Sequence, residues 1–285
     1  MKKILITGAN GQLGHCFKTK SKLTNSLDFV FLDSKILDIT NANQVKSIFK
    51  KTNFDYCINC AAYTAVDAAE DNIETATNIN VIGSKNLAEA CQEFNVTLIH
   101  ISTDFVFDGT KKTPYKESDK TNPTGVYGAT KLKGEGVIRE VLENHYIIRT
   151  SWLYSEYKNN FVKTMLRLAS EKDELNVVND QKGTPTNAND LAEAIIKIVN
   201  SNKKEYGSYH FSNLGETTWY DFAQAIFNFS KTIIKVNPVT SEAFVTKAKR
   251  PEYSVLDKTK ISTVFDIKIL DWKQSLENHI KTTYL

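Results

Sequence analysis

Along the first half of the chain, short runs of apolar, often β-branched residues alternate with longer segments in which apolar positions recur at helical spacing. Short apolar runs of this kind are typical of strands that are buried on both faces. The predicted strands cover residues 3–7, 29–32, 56–59, 97–101 and 146–149. Because helical segments such as residues 73–94 separate them, the pattern predicts βαβ units and an α/β fold with a doubly wound parallel sheet.

The second half of the chain is less regular. Its pattern predicts helices over residues 160–170 and 190–199, with a turn-rich segment between them at residues 180–187. Proline is sparse and no Gly/Ser-rich linker separates the halves. We therefore expect residues 1–150 to form one domain and residues 151–285 a smaller α/β lobe over it, with segments that can return to the first domain.

Composition and charge narrow the class of protein. The chain has 285 residues, of which 41% are hydrophobic, enough for a sizeable core. The net charge of +3 comes from 36 basic and 33 acidic residues that are scattered, with no basic stripe. This balance gives no support for nucleic-acid binding.

The sequence also indicates the cellular location of the protein and the redox state of its cysteines. No apolar stretch is long enough to cross a membrane, and the apolar run at residues 4–6 is too short for a signal peptide. We therefore expect a cytoplasmic protein without membrane association and with reduced cysteines. Cys57 and Cys60 have C-x-x-C spacing, but they lie in a strand-like run and no second cluster completes a zinc site, so no metal is expected.

A glycine-rich turn follows the first predicted strand. Gly8, Gly11 and Gly14 have the spacing G-x-x-G-x-x-G and open a helical segment. The first glycine permits a tight turn, the second lets the backbone approach a pyrophosphate, and the third lets helix pack closely on strand. The helix N-terminus then offers unpaired amides to the diphosphate. The turn therefore predicts a Rossmann-type NAD(P)-binding domain over residues 1–150.

Further cofactor contacts are expected at the ends of neighbouring strands. Asp33 lies 19 residues after Gly14, where an acidic side chain would bind the adenine ribose and favour NADH. Lys35 follows closely and could accept a 2′-phosphate, so the choice between NADPH and NADH stays open. From their positions, we expect the adenine and nicotinamide sides of the cofactor to contact Asp38, Ile39, Ala61, Ala62 and Tyr63.

Tyr127 and Lys131 form the candidate catalytic pair. They are four residues apart in a predicted helix, so they lie on one face, one turn apart. A free tyrosine has a pKa near ~10, and a nearby ammonium group would lower it. Thr103 follows the predicted strand at 97–101 and would place a hydroxyl beside Tyr127. In the expected reaction a reduced nicotinamide gives a hydride to a ketone, Tyr127 protonates the oxygen, and Lys131 holds the nicotinamide ribose and tunes Tyr127.

With these motifs in place, the chain resembles the dTDP-4-dehydrorhamnose reductase family over nearly its whole length. The shared runs are N-C-A-A-Y-T-A-V-D from Asn59, S-T-D-F-V-F-D-G from Ser102, D-Q-K-G-T-P-T from Asp180 and G-S-Y-H from Gly207. The resemblance implies reduction of the 4-keto group of dTDP-6-deoxy-L-lyxo-4-hexulose to dTDP-L-rhamnose, in nucleotide-sugar and cell-surface polysaccharide biosynthesis.

The resemblance also implies roles for single residues. Tyr127 would be the proton donor, with Thr103 tuning it and Lys131 assisting. The family's cofactor contacts match Gly11, Gln12, Leu13, Asp38, Ile39, Ala61, Ala62 and Tyr63. Its sugar contacts match Thr103, Asp104 and Trp152, and the planar fork of Arg250 fits a pyrophosphate clamp.

Two positions depart from the family pattern. Phe105 stands where members often have tyrosine, which removes one hydroxyl from the loop. His15 occupies a position that in some members is an acid at a magnesium-linked dimer contact. A magnesium-dependent dimer is therefore in doubt for this chain, and the oligomeric state, including a homodimer, stays open.

Two other functions share much of this motif set. A nucleotide-sugar 4-epimerase or dehydratase has the same turn and Tyr/Lys pair, but a dehydratase needs a second base, and Thr103 is followed only by Asp104 and Phe105. A non-catalytic dinucleotide-binding regulatory subunit would bind cofactor without turnover. Release of oxidised cofactor in stoichiometric amounts separates the reductase from both.

Overall fold

The computed structural model describes residues 1–24 and 26–285 of the chain. The strands are β1 (Lys2–Thr7), β2 (Leu27–Phe31), β3 (Tyr56–Asn59), β4 (Thr97–Thr103), β5 (His145–Thr150), β6 (Leu153–Tyr154), β7 (Glu174–Val178), β8 (Lys182–Gly183), β9 (Thr186–Asn187), β10 (Gly207–His210), β11 (Thr217–Thr218) and β12 (Lys235–Val239). The α-helices are α1 (Gln12–Ser21), α2 (Ala42–Lys51), α3 (Val66–Ala69), α4 (Ile73–Thr77), α5 (Gly83–Glu93), α6 (Val126–Val141), α7 (Phe161–Ala169), α8 (Ala188–Ser201), α9 (Trp219–Phe229), α10 (Thr259–Phe265) and α11 (Trp272–Thr283).

The main sheet is parallel and has the strand order β10-β5-β4-β3-β1-β2. The order in which strands are added to the sheet reverses between β1 and β3. Strand β2 lies on one side of β1, and the later strands follow on the other side. Ligands of doubly wound sheets bind at the carboxyl ends of the strands at such a switch point. The predicted fold class is confirmed.

The predicted strands are confirmed within one or two residues at each end. Strand β4 runs on beyond its predicted end to Thr103, so that the candidate catalytic threonine is the last residue of the strand. The predicted helix at residues 73–94 is interrupted by a π-helical segment, Asn78–Ile82, between α4 and α5. π-Helical turns inside helices are frequent at functional sites.

Apolar clusters cover both faces of the main sheet. Helices α1, α8 and α10 pack with the sheet residues Ile4, Ile6 and Ile58 on one face. Helices α2, α5 and α6 pack with Leu5 and Leu98 on the other. Burial of this near-continuous apolar surface explains why the strands read as uniformly hydrophobic runs.

The residues after β5 pack in two places. Strand β10 joins the edge of the main sheet beside β5, and α8 packs on α1. Helix α10 also packs on the main sheet, whereas β7 pairs with β12 in a smaller layer in which α7, α9 and α11 share an apolar core. Among the described residues, no helix combines the length and the apolar character that crossing a bilayer requires.

Candidate active site

A cleft of about 610 Å³ opens at the carboxyl ends of β1, β3, β4 and β5. Its walls come from the glycine-rich turn, from the ends of these strands, from α6 and from the segment after β5. The lining residues are Gly11, Gln12, Leu13, Gly14, Cys60, Ala62, Thr64, Val66, Ile101, Ser102, Thr103, Phe105, Tyr127, Lys131, Thr150, Ser151, Trp152, Leu153, Lys158 and Asn159. The fold thus brings the glycine-rich turn and the candidate catalytic residues into one cleft.

The glycine-rich turn packs closely against neighbouring backbone at its first and third glycines. Gly8 has φ +62°, and a Cβ there would lie 2.6 Å from the backbone nitrogen of Ala61. A Cβ on Gly14 would lie 2.7 Å from the backbone of Ala9. Gly11 is the N-cap of α1 and has no side chain to cap the helix, so the first amides of α1 face the cleft. The turn fits a dinucleotide's diphosphate.

The carboxylate of Asp33 is held by its own loop. Its Oδ1 accepts hydrogen bonds from the backbone nitrogens of Lys35 (2.9 Å) and Ile36 (3.2 Å). Its Oδ2 accepts a hydrogen bond from the side chain of Asn10, in the glycine-rich turn. Asp33 therefore lies beside the turn, just beyond the end of β2, although outside the cleft lining.

The other predicted cofactor residues divide into two places. Asp38 is exposed and accepts hydrogen bonds from Thr40, while Ile39 is buried in the apolar cluster beneath α5. Ala61 and Tyr63 follow β3 beside the cleft. Both of their backbone nitrogens donate to buried asparagine side chains, from Ala61 to Asn59 (3.1 Å) and from Tyr63 to Asn80 (2.9 Å).

Helix α6 carries Tyr127 and Lys131 into the cleft. A carboxylate from outside α6 caps its first turn, because Glu70 Oε1 accepts the hydrogen bond of Val126 N at 2.8 Å. Gly128 lets the helix pack closely on the turn after β4, since a Cβ there would lie 2.2 Å from the carbonyl oxygen of Phe105. Asn80, in the π-helical segment, donates to Thr130 Oγ1 at 3.1 Å and ties the same helix from its other side. These contacts fix the position of the catalytic helix.

Burial raises the pKa of Tyr127 to about 12; the nearby Asp104 carboxylate acts in the same direction and the Thr103 hydroxyl opposes it. Thr103 Oγ1 donates to Asp104 Oδ1 at 3.0 Å and accepts from Phe105 N at 3.2 Å. Asp104 is itself buried, and burial raises its pKa to about 6. Tyr127 therefore carries its proton at neutral pH and can donate it.

Lys131 does not lower the pKa of Tyr127, contrary to the expectation from the sequence. Its Nζ donates to the carbonyl oxygen of Ile101 at 2.7 Å and lies 3.1 Å from His100 Nε2. The groups that set the pKa of Tyr127 are burial, Thr103 and Asp104, and the expected lowering by Lys131 is not found. The reason is geometric, because His100 and Ile101 on β4 hold the side-chain nitrogen of Lys131.

Trp152 has an unusual backbone. Its φ is +46°, a left-handed conformation that costs free energy in a bulky residue. Its indole stacks on Trp219 with ring centroids 3.5 Å apart and an interplanar angle of 10°. Gly183 lies directly under the indole, where a Cβ would approach Trp152 Cε2 to 2.5 Å. The stack presents Trp152 to the cleft.

Arg250 lies outside the cleft lining and pairs with Asp67. Its Nη1 and Nη2 donate to the two carboxylate oxygens of Asp67 at 3.1 and 2.7 Å. Hydrogen bonds from Arg250 hold the pKa of Asp67 below its usual value. The guanidinium that the family resemblance assigns to a pyrophosphate is thus engaged by a carboxylate of this chain.

Sequence reasoning missed several residues that build the cleft. Asn59 and His100 form a buried chain of hydrogen bonds behind Lys131, and Trp219 supports Trp152. Gln12, predicted as a cofactor contact, also accepts a hydrogen bond from Asn160 Nδ2 at 3.1 Å and so ties α1 to the second half of the chain. A polar histidine inside the apolar strand run at 97–101 was the one available signal.

Comparison with known proteins gives consistent results over the full chain. The family model described as RmlD substrate binding domain matches residues 1–285. The dTDP-4-dehydrorhamnose reductase of Aggregatibacter actinomycetemcomitans is 43% identical over 288 residues, covering 98% of each chain.

Solved structures agree. A dTDP-4-dehydrorhamnose reductase from Clostridium acetobutylicum is 43% identical, with a TM-score of 0.95 over 99% of this chain and 100% of that chain. The same enzyme from Bacillus anthracis, in complex with NADP, is 40% identical, also with a TM-score of 0.95 and the same coverage.

Proposed function

We infer that this chain, which belongs to the RmlD substrate binding domain family, is an NAD(P)H-dependent dTDP-4-dehydrorhamnose reductase. It reduces the 4-keto group of dTDP-6-deoxy-L-lyxo-4-hexulose to give dTDP-L-rhamnose. The observation that carries this function is the single cleft in which Thr103, Tyr127 and Lys131 lie beside the glycine-rich turn. The NADP complex of the Bacillus anthracis relative supports NADPH as the preferred cofactor.

We propose the following division of roles among the cleft residues. The amides at the start of α1 and the backbone around Gly8 and Gly11 hold the diphosphate of the cofactor. When bound, the reduced nicotinamide supplies a hydride to the ketone carbon. Tyr127 gives its phenolic proton to the oxygen that develops negative charge, and the Thr103 hydroxyl next to it helps to orient that oxygen.

The protonation state of Tyr127 is compatible with this role. With a pKa of about 12, Tyr127 holds its proton at neutral pH and is in the correct form to act as an acid. A group that donates a proton must regain it before the next turnover, and we propose that Lys131, one helical turn away in the same cleft, supplies it. On the substrate side, we propose that Asp104 and Trp152 contact the sugar and that Arg250 contacts the diphosphate.

The decisive experiment supplies purified protein with dTDP-6-deoxy-L-lyxo-4-hexulose and either NADPH or NADH, and follows loss of absorbance at the nicotinamide band. We expect one cofactor oxidised per sugar reduced, with dTDP-L-rhamnose as product. Absence of oxidation with both cofactors would overturn the reductase. Cofactor binding without turnover would indicate the regulatory function, and sugar conversion without net oxidation an epimerase or dehydratase.

We further propose a cytoplasmic location. Cys16, Cys57, Cys60 and Cys91 are all unpaired thiols in the described part of the chain, which suits a reducing compartment. The boundary between the two domains at residue 150 and a homodimer stay predictions. Light scattering of the purified protein tests the homodimer.

A further inference from the structure

Lys131 ends a chain of buried hydrogen bonds that runs behind the cleft. Thr7 Oγ1 donates to Asn59 Oδ1 at 2.6 Å, Asn59 Nδ2 lies 3.0 Å from His100 Nδ1, and His100 Nε2 lies 3.1 Å from Lys131 Nζ. All four side chains are at most 2% exposed. This series of hydrogen bonds crosses β1, β3 and β4 and reaches α6. Buried polar groups in such a network have no water to replace a missing partner.

The direction of each hydrogen bond in this chain can be assigned. The backbone nitrogen of Ala61 lies 3.1 Å from the side chain of Asn59, and an N–H group can only donate, so the atom that faces it is the carbonyl oxygen Oδ1. The NH₂ group of Asn59 therefore faces His100. His100 Nδ1 must accept that hydrogen bond, which leaves the ring proton of a neutral imidazole on Nε2.

This assignment places a donor against Lys131. His100 Nε2–H faces Lys131 Nζ, and an ammonium group has three donors and no acceptor. The 3.1 Å contact is a hydrogen bond only when Lys131 is an uncharged amine that accepts from His100. We propose that His100 is a positioning residue of the reaction, which acts on Lys131 by donating to its uncharged amine and so stabilises that form relative to the ammonium.

The charges around Lys131 agree with this assignment. Burial lowers its pKa to about 8, against the opposing effect of Glu135 on α6 and Cys60 after β3. A lysine in this range can lose and regain a proton near neutral pH, whereas an exposed lysine cannot.

The charges around His100 agree as well. Burial holds the pKa of His100 well below its usual value, and any positive charge on Lys131, His145 on β5 or Arg139 on α6 lowers it further. His100 is therefore neutral throughout the working pH range, as the hydrogen-bond directions require. An imidazolium ring would donate from Nδ1 to Asn59, and the NH₂ group that Asn59 presents there cannot accept.

The consequence for turnover rests on the proposed function. Tyr127 gives a proton to the sugar oxygen in each cycle and must be reprotonated. When the ammonium group of Lys131 gives its proton to the deprotonated Tyr127, it becomes an amine, and the hydrogen bond from His100 Nε2–H stabilises this buried, uncharged form. The amine regains its proton from solvent water, so the proton balance of each cycle closes with one proton taken up.

The first test is the tautomer of His100, which needs no turnover. Long-range ¹H–¹⁵N spectra of uniformly ¹⁵N-labelled protein distinguish Nε2–H, Nδ1–H and imidazolium rings. The signal of His100 is assigned by its loss in His100→Gln. We expect the Nε2–H tautomer at pH 7. An Nδ1–H ring or an imidazolium would overturn the proposal.

The second test is the titration of Lys131, followed by NMR of protein with ¹³C-labelled lysine. In His100→Gln the amide carbonyl can accept from Lys131, so we expect its titration midpoint to rise by about one pH unit. The matched control is His145→Gln, which removes a neighbouring buried histidine that does not touch Lys131 and should leave the midpoint in place. Equal midpoints in His100→Gln and wild type would overturn the proposal.

Kinetics give a third readout that separates the two proposals. If Lys131 takes part as argued, the basic limb of the kcat pH profile moves upward in His100→Gln by the same amount as the NMR midpoint. A protein that fails to oxidise NADPH but shows the expected tautomer and titration would contradict only the reductase function. An active wild type whose basic limb is unchanged in His100→Gln would contradict the role of His100.

Discussion

Arg250 donates hydrogen bonds from Nη1 and Nη2 to the two carboxylate oxygens of Asp67, at 3.1 and 2.7 Å. Asp67 Oδ1 also accepts from the backbone nitrogen of Ala248 at 3.0 Å, which holds the segment before Arg250 in place. The guanidinium fork fits a phosphate as well as it fits a carboxylate. If Arg250 is the diphosphate contact, substrate must compete with Asp67 for it.

We therefore expect Asp67→Asn to lower KM for the nucleotide sugar by about three- to tenfold, with kcat little changed, because the neutral amide releases the guanidinium. The side-chain carbonyl oxygen of this variant can still accept from the backbone nitrogen of Ala248, so the segment keeps its hydrogen bond. Steady-state kinetics at fixed saturating NADPH measure the change. A higher KM would show that Asp67 orients Arg250 for the substrate and does not compete with it.

Removal of the guanidinium should have the opposite effect. In Arg250→Ala we expect KM to rise by roughly 10- to 100-fold, because a charge-assisted contact to phosphate contributes about 1.5–3 kcal/mol. Adding Asp67→Asn to this variant should bring no further gain, since the carboxylate has nothing left to compete for. A gain in the double variant would place the effect of Asp67 elsewhere.

Tyr127→Phe tests the proton donor. The phenyl ring can keep the edge-to-face contact with Phe105, whose centroid lies 5.6 Å away, while the O–H group is lost. We expect kcat to fall by about 10²–10⁴, the usual contribution of a general acid, with NADPH affinity within about twofold of wild type. Stopped-flow turnover and NADPH fluorescence titration measure the two quantities. Activity near wild type would remove Tyr127 from its assigned role.

Much of the fold could be predicted from the sequence, because buried parallel strands leave continuous apolar runs that local pattern detects. The strand at Gly207–His210 could not be found in this way. It is short, it contains Ser208 and His210, and its place beside β5 depends on contacts with residues about 60 positions earlier. The short strands in residues 182–187, predicted only as turns, likewise depend on pairing with distant partners.

The candidate site could be predicted in part. The glycine spacing and the four-residue spacing of Tyr127 and Lys131 are local patterns, which predict a turn and one face of a helix. The structure places both features in the cleft. Hydrogen-bond partners cannot be read from spacing. The four-residue spacing on one face of α6 predicts that Lys131 acts on the pKa of Tyr127, but His100 and Ile101 of β4 hold the amine. Such a contact is decided by how the helix packs on the sheet.

Asp104 should make stability depend on pH. Burial raises its pKa from the ordinary 3.8 to about 6, so its stabilising contribution is complete below pH ~4 and is lost as pH rises through about 6. At pH 7.5 the buried carboxylate then costs on the order of 2–3 kcal/mol, at about 1.36 kcal/mol per pKa unit.

Asp104→Asn removes this ionisation and leaves an oxygen for Thr103 Oγ1. We expect its free energy of unfolding to exceed that of wild type at pH 7.5 by about 2 kcal/mol and to match it closely at pH 4. Urea denaturation at both pH values measures the difference. A variant that is equally stable or less stable at pH 7.5 would contradict the prediction.

The variant Gly183→Ala tests whether the packing beneath the Trp152 indole matters for stability and sugar binding. In Gly183→Ala the new Cβ would lie 2.5 Å from Trp152 Cε2 and 2.6 Å from Cζ2, so the indole must shift on Trp219. We expect a loss of about 1–3 kcal/mol in stability, as for other overpacked sites, together with a raised KM for the sugar. Gly136→Ala in α6 is the matched control, because no atom lies within 4 Å of its Cβ and alanine should stabilise the helix by about 0.5–1 kcal/mol. Thermal unfolding and steady-state kinetics of both variants decide, and an unchanged KM in Gly183→Ala would separate Trp152 from sugar binding.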